Sequence, residues 1–150
     1  MNNRSGLTLI EVMATVAIIA ILAAGVLPMS RMVYKRNKEI QLRNYLRVIR
    51  TALDEYKEMV DQDVIPDTTV SGYPKNLDVL VTGVQMINEP ERKKKFLRRI
   101  PRDPMTEEGE WGLRAYSDEP DSAVWGGQDV YDVYTRSEKT AIDGSYYKDW

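Results

Sequence analysis

Between residues 12 and 27 every side chain is apolar or small except Thr15. A helix over that stretch rises roughly 24 Å at 1.5 Å per residue, and residues 7–10 with Met29 extend it to the thickness of a bilayer's hydrocarbon core. The segment is long and apolar enough to span. Yet it carries a carboxylate, Glu11, near its start. An ionisable group at the centre of a membrane helix costs roughly 2.5–3.5 kcal/mol, so whatever the chain does must include something that offsets that cost.

A secretory signal peptide needs a basic leader, an apolar core and a small-x-small cleavage site. Here the leader MNNRSG has Arg4 as its single charge, and Ala23-Ala24-Gly25 supplies the small residues, but Glu11 inside the core argues against that reading. An ordinary single-pass anchor would take its orientation from flanking lysines and arginines. With Arg4 on one side and Arg31, Lys35, Arg36 and Lys38 on the other, that rule alone leaves the body in the cytoplasm.

The residues themselves support a third reading. Gly6 followed by Leu7-Thr8-Leu9-Ile10-Glu11-Val12 resembles the leader and helix start of type IV pilins and type II secretion pseudopilins, with Leu7 standing where Phe is commonest. The resemblance implies that residues 1–6 are a leader removed by a prepilin peptidase between Gly6 and Leu7. It also implies N-methylation of Leu7, a transmembrane and assembly helix over 7–29, and a globular domain over 30–150. That domain would lie in the periplasm of a single-pass inner-membrane protein, opposite to the positive-inside count. In a filament whose apolar helices bundle, the Glu11 carboxylate meets the amine on Leu7 of a neighbour. Such a pair in a dry core is stabilising only with both charges present, so it sets the stagger of one subunit along the next.

With 150 residues, part of them apolar anchor, one small body remains. The chain has no cysteine and no histidine. That removes disulfides, thiolate metal sites and the commonest general base, and the expectation is a non-enzyme. A formal net charge of -2 gives no reason to expect a nucleic-acid partner, and the basic cluster at Arg92, Lys93, Lys94, Lys95, Arg98 and Arg99 has Phe96 as its one aromatic, short of the interleaved aromatics of an RNA-binding surface.

Beyond the anchor, Leu42, Leu46, Ile49, Leu53, Tyr56 and Val60 recur in steps of four and three, the stripe of an amphipathic helix. It is expected to pack on the protein's own sheet. Pro28 removes a backbone donor, and a kink or a locally melted stretch is expected there; in pilin-like families a proline at this place goes with unwinding on assembly. Charge along the helix is polarised, with Arg31, Lys35, Arg36, Lys38, Arg43, Arg47 and Arg50 before Asp54, Glu55, Glu58, Asp61 and Asp63. Two readings stand: a solvated, headgroup-facing stretch, or contacts between subunits in which Arg43 and Arg47 of one face Glu55 and Glu58 of another.

From about Asp61 the helical period stops. VIPDTTVSGYPKNL reads as a loop, and Asn76 or Asp78 caps a short helix over Leu77, Val79, Leu80 and Val84. Strand-like pieces follow at residues 111–116 and 129–134, the second alternating Val130, Asp132 and Tyr134 against Tyr131 and Val133. GYPKNLDVLV, the run closing with Pro101-Arg102-Asp103-Pro104, and YDVY near the end resemble the major, G-type pseudopilin. That resemblance implies an α+β fold, a long N-terminal helix packed on a small antiparallel sheet. It also implies a homopolymeric filament, with minor pseudopilins and an inner-membrane assembly platform as partners. In that family the C-terminal loop binds calcium; here Glu138, Asp143 and Ser145 are the oxygens on offer, while Lys139 stands near an expected aspartate. A calcium loop and an ordinary Asp143-Gly144 turn both stay open. So do two other readings of the whole chain, a type IV pilin making long surface fibres and a membrane-anchored binding domain that never polymerises; the lack of cysteine speaks against the disulfide-closed loop of many such pilins.

Overall fold

A computed structural model describes residues 8–150, and the side chains of all of these except 25–28; the Gly6-Leu7 bond, the expected cleavage site, lies outside them. The chain divides into two compact units, one ending at Asn37 and the other Lys38–Trp150. The longest element is α1, Leu9–Asp61. Its helical assignment runs unbroken through Pro28, so the melted stretch expected there is not found: one missing donor does not by itself interrupt the helix. At its far end Asp63 adopts a left-handed conformation, φ 54°, and the amides of Asp63, Val64 and Ile65 turn back to the carbonyls of Val60 and Met59. The last turn's orphan carbonyls are thereby satisfied, and the chain reverses so that Ile65 is buried.

Over residues 9–22 of the first unit α1 is apolar all round apart from Glu11 and Thr15. Leu9, Ile10, Met13, Val16, Ile18, Ile19, Ile21 and Leu22 are all exposed, and an 18-residue window reaches a mean hydropathy of 2.5. A helix apolar all round belongs in a core or a bilayer.

In the second unit the stripe predicted from periodicity is the core. Leu42, Leu46, Ile49, Leu53, Tyr56 and Val60 are all buried and share one cluster with Leu80, Leu97, Trp111, Val130, Val133 and Tyr147, each such side chain contributing roughly 1.5–3 kcal/mol on burial. The sheet that faces them is smaller than expected and split in two. After α2, Asp78–Thr82, whose first turn is capped by the Val79 amide donating to Asn76 Oδ1 at 3.2 Å, Gly83 stops the helix with φ +83°. Val84, expected as the helix's last apolar position, instead opens β1, Val84–Gln85, antiparallel to β2, Lys93–Lys94. Only glycine serves at 83: a Cβ there would stand 2.7 Å from the Lys94 carbonyl oxygen.

The second ribbon pairs β3, Trp111–Arg114, with β4, Asp132–Thr135, antiparallel, with Gly112 opposite Tyr134 and Arg114 opposite Asp132. Glycine at 112 lets the Tyr134 ring lie flat on β3 where any Cβ would collide with it, and the Arg114 guanidinium covers that ring at 4.3 Å. The alternation expected over residues 129–134 is broken. Val130 and Val133, three apart, are both buried, while Tyr131 is exposed, because Val130 lies before the strand and its amide donates to the Pro74 carbonyl. The arrangement is α+β and pilin-like: a long N-terminal helix with small antiparallel sheets in the C-terminal part.

Candidate functional site

Two places carry chemistry. The first is the start of α1. Thr8 precedes the helix; its carbonyl accepts the amides of Glu11 and Val12 at 3.1 Å, and its hydroxyl accepts a longer, 3.4 Å bond from the Glu11 amide. Thr8-x-x-Glu11 is thus the pattern of a helix start, and the carboxylate sits in the first turn, where the helix dipole favours negative charge. Glu11 is exposed among exposed apolar side chains. The reading of the sequence passed over Thr8, although its spacing to Glu11 was the available signal.

The second is where α1 meets the closing segment of the chain. Glu39, Arg43 and Arg50 lie on one face of the helix and all reach that segment. Glu39 Oε1 accepts from the Ile142 amide and the Tyr147 hydroxyl, both at 2.8 Å. Burial, and next the hydrogen bond to Glu39, push the Tyr147 phenol above its ordinary range, so it stays a donor. Arg43 stands 3.5 Å from Asp143 and lies over the Trp150 ring, 3.9 Å from its centroid. Arg50 donates Nε to Asp132 Oδ1 at 2.7 Å, and one terminal nitrogen to Asp132 Oδ2, the Val133 carbonyl and the Trp150 carbonyl at 3.2, 3.2 and 2.8 Å.

The loop between is a tight turn. Gly144 has φ +89°, the Ala141 amide donates to the Ser145 carbonyl and the Gly144 amide to the Ala141 carbonyl, and residues Thr140 and Tyr146 form a bridge. Ser145 donates its hydroxyl (2.6 Å) and amide (3.0 Å) to Asp143 Oδ1. Those two bonds, the hydroxyl's first, and Arg43 less strongly, hold the Asp143 carboxyl below its ordinary value. The Trp150 indole donates to Ser145 Oγ at 2.8 Å.

Of the candidate calcium ligands, Asp143 and Ser145 are brought together by their hydrogen bonds, and Glu138 is not bonded to either. Glu138 lines a separate groove with Tyr134 and Lys148, and no group of three or more carboxylates or other strong ligands is gathered among the described residues. Calcium takes six to eight oxygens; here Ser145 Oγ is engaged on both sides and Asp143 already faces a guanidinium.

The four charged residues singled out on α1 divide. Arg43 is held as described, and Glu55 pairs with Lys94 at 2.7 Å. The Glu58 carboxylate accepts from the Gln62 side-chain amide at 3.0 Å, and neither it nor Arg47, which is exposed, has an ion pair among the described residues. Arg47 lines an open groove with Leu46, Thr51 and Asp54. Two buried aspartates that sequence reading did not single out as site residues tie loops to the sheets. Asp103 accepts from the Thr135 hydroxyl at 2.5 Å and the Met105 amide at 2.8 Å; Asp129 accepts from Ser71 at 2.7 Å and the Tyr116 amide at 2.8 Å.

Residues 1–27 match the family described as the prokaryotic N-terminal methylation motif. The match takes in Glu11 and nearly all of the apolar run, together with the residues on either side of the Gly6-Leu7 bond. Comparisons of the whole chain with curated proteins and with solved structures found no match.

Proposed function

We propose that the chain is a structural subunit, the major pseudopilin of a type II secretion system. On this reading it is cut between Gly6 and Leu7, methylated on Leu7, and polymerised through its N-terminal helices into a periplasmic filament that drives folded proteins across the outer membrane. It has no catalytic residues of its own. The observation that carries the reading is the methylation motif over residues 1–27 joined to a helix start whose exposed side chains from Leu9 to Leu22 are apolar or small apart from Thr15 and one carboxylate, Glu11, in the first turn. A span that only anchors has no use for that carboxylate; a span that also packs against copies of itself does.

The test is co-expression with a prepilin peptidase, followed by intact-mass analysis and electron microscopy. A mature, methylated amino terminus at Leu7 and short filaments are expected. An unprocessed chain sinks the pilin-like reading, and long surface fibres replace pseudopilus with pilus.

Contacts between subunits fall to the charges left uncommitted. Arg47 is expected to face Glu58 of a neighbouring subunit, giving register more than affinity. Arg47→Glu and Glu58→Arg should each reduce filament yield, and the double variant should restore it; a double variant no better than either single removes this pair from the interface.

A further inference from the structure

The C-terminal turn holds a closed circuit of four side chains. Arg43 faces Asp143 at 3.5 Å, Asp143 accepts from Ser145 at 2.6 Å, Ser145 accepts from the Trp150 indole at 2.8 Å, and the Trp150 ring lies under the Arg43 guanidinium at 3.9 Å. Each member thus touches the next, and every polar partner in the ring is a side chain of this chain.

We propose that the guanidinium of Arg43 supplies, within the chain, the positive charge that a divalent cation would supply in a calcium-closed loop, and so seats residues 139–150 on α1 without metal. The chemistry suits the task. A guanidinium keeps its charge at any physiological pH and is flat enough to stack on an indole while addressing a carboxylate. It is also well placed: Glu39 four residues before and Arg50 seven after lie on the same helical face, and both hold the same segment, through Ile142 and Tyr147 on one side and the Trp150 carbonyl on the other. A calcium ion at Asp143 would have to sit beside a fixed cation and take Ser145 Oγ from the two bonds it makes. An exposed ion pair alone is weak, but this one is coupled to a stacked ring and two further helix anchors.

The experiment is amide hydrogen exchange on the full chain in detergent micelles, in excess calcium and in excess EDTA. Wild-type exchange over residues 139–150, and the melting temperature, should be the same in both. Arg43→Ala should exchange about three- to tenfold faster over that segment while amides of residues 46–60 keep wild-type protection, which shows that the fold persists. Arg43→Lys, which keeps the charge and loses the flat stacking face, should fall between the two. Protection or melting temperature rising with calcium in the wild type overturns the proposal, and so does an Arg43→Ala segment exchanging at the wild-type rate.

Discussion

Arg50→Ala is expected to lower the stability of the Lys38–Trp150 unit by about 2–3 kcal/mol, read as a shift in the urea midpoint of the full chain at unchanged slope. Arg50 is the side chain through which the helix grips the β3–β4 ribbon. It makes a forked contact to Asp132 and two further bonds to main-chain carbonyls. Charge-assisted bonds of this kind are worth about 1.5–3 kcal/mol when one partner is removed. The figure is kept below the sum of four bonds because Arg50 is 37 % exposed and solvent screens it. Arg114 also stands 3.7 Å from Asp132, so the truncation does not leave the carboxylate without a cation nearby. Arg50→Lys separates charge from geometry: an ammonium can face Asp132 but cannot fork, and it should recover less than half of the loss. An alanine variant as stable as wild type would mean that the apolar cluster alone holds the ribbon in place.

That contact also marks where sequence reading stops. The apolar stripe from Leu42 to Val60 was legible because each member lies three or four residues from the next, and burial of that face follows from local geometry. The motif around Glu11 was legible for the same reason, being contiguous. Arg50 and Asp132 are 82 positions apart, and nothing local distinguishes Arg50 from the six other cations of the same basic run. That run read as lipid-facing or intermolecular because the partners lie at the other end of the chain: Asp143 for Arg43, Asp132 for Arg50. The strands failed differently. Four-residue and two-residue strands carry too little alternation to set a boundary, so Val84 read as helix and Val130 as strand. Their places are decided by Gly83 and by the Pro74 carbonyl, a turn and a long-range bond. The Arg43 contact was out of reach as well, since the Asp143-Gly144-Ser145 turn has the same local sequence whichever cation faces it.

Glu11→Gln is expected to reduce filament yield below detection while leaving cleavage before Leu7 intact, and it is more informative than Glu11→Ala. Two roles for this carboxylate compete. In one it serves its own helix, lying in the first turn behind Thr8, favoured by the dipole. In the other, which belongs to the proposed function, it neutralises the Leu7 amine of a neighbour inside an apolar bundle. Glutamine serves nearly as well as glutamate in the third position of a helix start, so the first role survives the change and the helix forms as before. The second role does not survive, because a neutral amide leaves the amine buried without a counter-charge. Breaking such a pair costs roughly 3–5 kcal/mol, more than about a hundredfold in the association constant at each interface, and the loss repeats with every subunit added. Yield of short filaments by electron microscopy, with the mature mass confirming processing, reads the difference. Normal filaments from Glu11→Gln would assign Glu11 to its own helix and leave the register of the filament to contacts outside the membrane, with Arg47 and Glu58 the first to examine.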